Sequence, residues 1–246
     1  MLYLKRLVVE LGGKTIIKGL DLHVNHGELA LLMGPNGSGK STLLHAIVGD
    51  KRYRVVSGSV VFEGRDLTGL TMEERVRLGL GLGFQFPPRL KGVGLRSLVL
   101  RILEKRGLPE DEAKEILEEY SRLLKMEGLL DKDFNVGFSG GEAKRAELML
   151  TLVQNPRLLL LDEPDSGVDV ENLALIGSAI SRYLSSNGRA AILITHTGHI
   201  AKHVKASEAH VLIDGRIVCS GDPEEMVSNI MEHGFEACVD CRRAKR

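Results

Sequence analysis

Residues Gly34, Pro35, Asn36, Gly37, Ser38, Gly39, Lys40 and Ser41 fit the pattern G-x-x-x-x-G-K-[ST], and Thr42 follows directly. Glycines at those places let successive backbone N–H groups curl around phosphate oxygens. The pattern follows the apolar run ELALLM (28–33) and leads into LLHAIVG, so it joins a buried strand to a helix. A helix N-terminus adds a positive dipole aimed at an anion. Lys40 is then placed to reach the β- and γ-phosphates of a nucleotide, and the Ser41 hydroxyl to ligate Mg²⁺. A second chemical element stands at LLLLDE, residues 158–163. Two adjacent carboxylates at the end of an apolar strand are costly unless both are used. Asp162 is suited to hold Mg²⁺ through water. Strand alternation would turn Glu163 to the opposite face, where it can polarise an attacking water. The chemistry that these two segments describe is phosphoryl transfer from a Mg²⁺-bound nucleotide to water.

Such residues need rigid elements behind them, and the hydrophobic pattern supplies an α/β alternation. Strands are expected at 14–24, 28–33, 58–64 and over LGLGFQF (80–86). A capping-box spacing at Thr71–Glu74 opens a short helix. Residues 94–127 change character: they are amphipathic, charged and nearly free of strand formers, with Pro109 near the first turn of a second helix. After residue 157 the alternation returns. RLLLLDE is a strand, 169–187 a helix, AAILI and EAHVLI strands, Asp214-Gly215 a hairpin into RIVCS, and Asp222-Pro223 the start of a last helix. The expectation is one domain, with residues 1–90 and 151–246 forming the catalytic core and 91–150 a helical subdomain.

Composition narrows the partners. Among 246 residues, Lys plus Arg and Asp plus Glu number 33 each, so the formal net charge is zero and no global attraction to nucleic acid or an acidic membrane is written in. Aromatic residues make up 4% and Trp is absent, which argues against base-stacking platforms and interfacial membrane belts. No apolar run approaches the ~18 residues of a bilayer span, so no direct membrane insertion is expected. The opening MLYLKRLVVELGGK does not read as a secretory signal, and three cysteines are too few for a disulfide framework. Both favour the cytoplasm. Cys238 and Cys241 form a CxxC pair ahead of a basic tail, without the second pair of ligands a zinc site needs.

Further motifs resemble a known family. Phe138-Ser139-Gly140-Gly141-Glu142 is similar to the LSGGQ signature of ATP-binding-cassette (ABC) ATPases. Gln85 in FQFP resembles their Q-loop, Ser166-Gly167-Val168-Asp169 their D-loop, and His196 after AILIT their switch histidine. All occur once, in the family order, along essentially the entire chain. The resemblance implies an α/β nucleotide-binding domain with an antiparallel β subdomain and a helical subdomain. It implies a head-to-tail dimer with a second copy of the chain. There Ser139, Gly140, Gly141, Glu142 and Asp169 complete the ATP site formed by the phosphate loop of the other subunit. It further implies that Glu163, His196 and Lys40 are catalytic and that Gln85 senses the metal. Leu11 stands where many cassettes place an aromatic against adenine. The long coiled-coil insertions of chromosome and repair ATPases are missing.

The wording FSGGEAKRAE and DEPDSGVD is closer to one branch of the family, the ATPase of the Suf iron–sulfur assembly system, than to the LSGGQ and DEPTSALD of transporters. Pro164 is a departure toward the generic cassette. That branch implies a soluble scaffold of the SufB/SufD type as partner, docked around Gln85–Gly94. The alternative is the cytoplasmic ATP-binding subunit of a membrane transporter, which would use the same region.

Overall fold

The computed structural model describes residues 1–186, 188–196, 198–235 and 238. Strands β1 (Leu2–Leu11) and β2 (Lys14–Val24) form a hairpin. Next come β3 (Leu29–Met33), helix α1 (Lys40–Val48), β4 (Tyr53–Phe62) and the short β5 (Arg65–Asp66). Strands β2, β1, β4 and β5, in that spatial order, make an antiparallel sheet. The stretch 2–11 shows no clean period because its register slips. A bulge separates Leu4 from Leu7, with Arg6 at φ 43°, so Leu2, Leu4, Leu7 and Val9 are all buried without strict alternation. Strand β4 begins at Tyr53 rather than near Gly58. Gly58 lies inside it at φ 85°, where a Cβ would stand 2.4 Å from the Lys5 carbonyl oxygen.

Helix α2 (Met72–Arg77) carries the expected capping box between Thr71 and Glu74. Strand β6 spans only Leu80–Gly83, shorter than the alternation suggests, and the chain leaves the sheet at Phe84. Then follow α3 (Leu95–Lys105), α4 (Glu110–Leu123, with Pro109 at its N-cap), α5 (Gly140–Val153), β7 (Leu158–Asp162) and α6 (Val170–Leu184). Strands β8 (Ala190–Ile194), β9 (Glu208–Ile213) and β10 (Arg216–Gly221) precede α7 (Pro223–His233). The second sheet runs β10-β9-β3-β8-β7-β6, parallel except for β10.

The parallel strands are apolar throughout because both their faces are covered. Ala30, Leu32, Leu158, Leu160, Ile192 and Leu212 pack toward α1 and the antiparallel sheet. Leu29, Leu31, Leu159, Leu161, Leu193 and Val211 pack into the core shared with α3 to α7. Each fully buried leucine contributes about 2 kcal/mol by leaving water. This double burial brings the C-terminal ends of β3 and β7 to the same edge of the sheet, on either side of β8, and the expected site residues lie at those ends.

Candidate nucleotide site

The turn from β3 into α1 carries the residues expected to form the phosphate loop. Gly34, Gly37 and Gly39 have φ of 151°, 77° and 107°. A Cβ at Gly34 would lie 2.1 Å from the Leu212 carbonyl oxygen, so only glycine fits there. Gly39 is the N-cap of α1 and offers no side-chain cap, which leaves the leading amides of the helix for a ligand. Lys40 Nζ donates to the carbonyls of Gly34 at 2.9 Å and Pro35 at 3.0 Å. Burial lowers its pKa, and Glu163 and Asp162 pull it back up. Beside the loop lies a cavity of about 450 Å³, lined by Asn36, Gly37, Lys40, Ser41, Gln85, Glu163 and His196 among others.

Asp162 ends β7 and is not itself among the residues lining this cavity, although its neighbours Ser41 and Glu163 are. Burial raises the pKa of Asp162, against a hydrogen bond from Ser41 and the nearby side chains of His45, Lys144 and Lys40. Its Oδ1 is buried and has no hydrogen-bond partner. A buried, unpaired carboxylate oxygen next to a hydroxyl is a donor set that fits Mg²⁺, a hard cation that takes one or two carboxylates and water. Ser41 and Asp162 therefore fit the metal role.

Glu163 is aimed by its backbone, not by strand alternation. The strand stops at Asp162 and Glu163 takes a left-handed φ of 49°. Its carboxylate is buried between two partners. Gln85 Nε2 donates to Oε2 at 2.5 Å, and His196 Nε2 meets Oε1. Gln85, Glu163 and His196 thus form one cluster, with Gln85 resting on Glu163.

The remaining predicted residues stand elsewhere. Ser139 and Gly140 are exposed, and none of Ser139, Gly140, Gly141 or Glu142 lines the phosphate-loop cavity. Ser139 caps α5. Its hydroxyl accepts from Glu142 N, while Glu142 Oε2 accepts from Ser139 N at 2.7 Å, a second capping box that the S-x-x-E spacing carries. Asp169 caps α6 and accepts from Asn172 at 2.8 Å through both oxygens. Leu11 ends β1 and is not among the lining residues, whereas Ile16 is. Cys241 and the basic tail lie outside the described residues.

Two residues of α5 bear on the site without having been singled out as site residues. Lys144 Nζ donates to the carbonyls of both Gln85 and Glu163 at 2.7 Å. Glu147, 8% exposed, accepts the Phe84 N–H at 3.0 Å, and burial pushes its carboxyl up to about 7. Charged residues one turn apart on a buried helix face were the available signal.

The family description "ABC transporter" matches residues 17–166. A relative from Escherichia coli strain K12, described as a probable ATP-dependent transporter SufC, is 40% identical over 96% of this chain and 97% of its own. The chain belongs to the ABC ATPase family. Vegetative protein 296 of Bacillus subtilis strain 168 is 35% identical, covering 96% of the cassette and 92% of its own length. Among solved structures, an ATP-binding cassette of an ABC transporter superposes with a TM-score of 0.80 at 27% identity, over 95% of each chain. A nucleotide-free cassette from an ABC transporter gives 0.78 at 27%, over 94% of this chain and 95% of its own. The expected nucleotide-binding fold is therefore present, and SufC is the branch of the family that this cassette resembles.

Proposed function

We propose that the cassette hydrolyses ATP with Mg²⁺ as a head-to-tail dimer and thereby drives iron–sulfur cluster assembly on a SufB/SufD-type scaffold in the cytoplasm. The observation that carries the hydrolytic part is the Gln85–Glu163–His196 cluster facing the phosphate loop. The loop amides and Lys40 bind and orient the phosphates. Glu163 takes the proton of the attacking water, and His196 and Gln85 hold its carboxylate in place. Ser41 and Asp162 are the residues that would hold Mg²⁺, which when bound would supply positive charge to stabilise the developing negative charge of the transferred group. The exposed signature turn supports the dimer, since Ser139 and the first residues of α5 lie outside the cavity of their own chain, where a helix N-terminus is open to an anion brought by a second copy.

The Suf assignment is supported by the 40% identity to SufC over nearly all of both chains, together with FSGGEAKRAE and DSGVD. The family description and the neighbouring structures support the runner-up, an ATP-binding subunit of a membrane transporter. No helix among the described residues is long and apolar enough to cross a membrane. Steady-state phosphate release with and without Mg²⁺ tests the hydrolysis. Identifying the protein that co-purifies at stoichiometry separates a water-soluble scaffold from an integral membrane subunit.

A further inference from the structure

Three contacts converge on the residues that lead from β6 into the Q-loop. The Phe84 N–H donates to Glu147 Oε1 at 3.0 Å. The Gln85 carbonyl accepts from Lys144 Nζ at 2.7 Å. The Phe84 ring lies 6.2 Å from the imidazole of His45 on α1, which itself stacks on Tyr53 at 4.7 Å. Two residues further on, Phe86 is 82% exposed. The start of the loop is therefore tied by its amide to α5 and by its ring to α1, while the next aromatic faces solvent.

Glu147 is the unexpected member. It is 8% exposed in a small cavity lined by Leu148, Leu161 and Pro164 as well as Lys144 and Asp162, and burial costs its carboxyl more than the nearby Lys144 charge returns. It stands eight residues into the helix that Ser139 caps, roughly 12 Å along the axis. One end of α5 thus carries the signature turn, and the same helix grips the amide next to Gln85.

We infer that Glu147 is a positioning residue for ATP hydrolysis: by holding the Phe84 amide it fixes the Q-loop to the signature helix, keeps Gln85 on Glu163, and makes Gln85 follow α5. The inference rests on the hydrolytic reading above. It gives the helix a mechanical task, because any displacement of the signature turn is passed to the group that orients the catalytic carboxylate.

The test compares wild type, Glu147→Gln and Glu147→Leu in the full chain, reading amide hydrogen exchange at Phe84, kcat, KM for ATP and Tm. Glu147→Leu removes the acceptor. Exchange at Phe84 is expected to quicken by about tenfold or more, and kcat to fall by about ten- to a hundredfold as Gln85 loses its place. KM for ATP should stay within about threefold, because the phosphate loop is untouched. Glu147→Gln keeps an acceptor oxygen and should retain both the Phe84 protection and most of kcat. If Glu147→Leu does not fold, Glu147→Asp withdraws the oxygen by one methylene, and its kcat and Phe84 exchange should lie between wild type and a lost clamp. Wild-type kcat in the leucine variant would overturn the inference. So would kcat losses that track Tm in both variants, or kcat and ATP affinity falling together. A wild-type protein that binds ATP without turning it over would defeat the hydrolytic reading instead. The clamp would still be decided by exchange, since an unprotected Phe84 amide in the wild type overturns it.

Discussion

Glu163 has both carboxylate oxygens engaged, one by Gln85 and the other by His196, and this sets what its replacement should do. Glu163→Gln preserves shape and leaves Asp162 and Ser41 untouched, but an amide cannot accept the proton of water. Turnover is expected to fall by about a hundredfold or more, with ATP still bound, as checked by single-turnover hydrolysis beside equilibrium binding. Lys40→Ala acts at the other end of the phosphate chain. Losing a charge-assisted donor there should weaken ATP binding by about tenfold or more, measured by titration with a fluorescent analogue. The residues behind both predictions were legible in the sequence because the chemistry demands their types at fixed spacing: glycines where a backbone must approach phosphate, lysine and serine next in line, and two carboxylates closing an apolar strand. Their mutual geometry was less legible. Alternation along β7 predicts that Glu163 faces away from Asp162, yet a left-handed φ of 49° decides its direction, and no local sequence rule makes a glutamate adopt it.

At the scale of elements, α5 is the piece that joins the two halves of the chemistry. Arg145 ties it to the end of α4 through the carbonyls of Leu124 and Lys125 at 2.5 and 2.8 Å, while Lys144 and Glu147 tie it to the Q-loop. Glu147 also leaves a signature in stability. Burial holds its carboxyl at about 7 in the folded chain, above the 4.5 of an exposed glutamate. Below pH 4.5 both states are protonated and the group costs nothing. Between about 4.5 and 7 the unfolded chain releases its proton first, so stability falls as pH rises, by up to about 3 kcal/mol at pH 8. Glu147→Gln cannot ionise. Its Tm should exceed that of wild type at pH 8, with the gap closing toward pH 5, as read by calorimetry across that range. A capping residue gives a smaller effect: Ser139→Ala should cost about 1 kcal/mol as the box with Glu142 opens. Element types were readable wherever apolar spacing was regular, as in the parallel strands, α4 and α6. They were not readable where register breaks. Strand β1 hides its period behind a bulge at Arg6, and β4 bends at Gly58. The run LGLGFQF looks like a longer strand than β6 because Phe84 and Phe86 continue an alternation, although the Phe84 amide turns to Glu147 instead of a neighbouring strand.

For the whole molecule, the decisive feature is that the signature turn and the phosphate loop of one chain do not meet. Ser139 and Gly140 are exposed and lie outside the cavity that Lys40 and Glu163 line. Val170, opening α6 just past Asp169, is 78% exposed, an apolar side chain left in water beside the D-loop. A second copy placed head to tail would cover both features and supply each phosphate loop with another helix N-terminus. ATP would then act as part of the proposed interface, and its hydrolysis would remove contacts that only the closed state makes. Glu163→Gln with Mg²⁺-ATP should therefore run at twice the monomer mass in light scattering, and the same protein with ADP at the monomer mass. One mass under both conditions would count against the sandwich for the isolated chain. A partner that binds two cassettes raises their effective concentration, so turnover of the isolated chain should be slow and rise on adding the partner. What that partner is decides between the two roles. If it is a soluble scaffold, the complex is isolated without detergent, and cells carrying Glu163→Gln lose iron–sulfur enzyme activities before any solute accumulates or is depleted. If those activities stay normal while uptake or export of one solute fails, the Suf role falls and the transporter role takes its place. The proposed hydrolytic site would be common to both, because it rests on Lys40, Asp162, Glu163 and His196 and not on the partner.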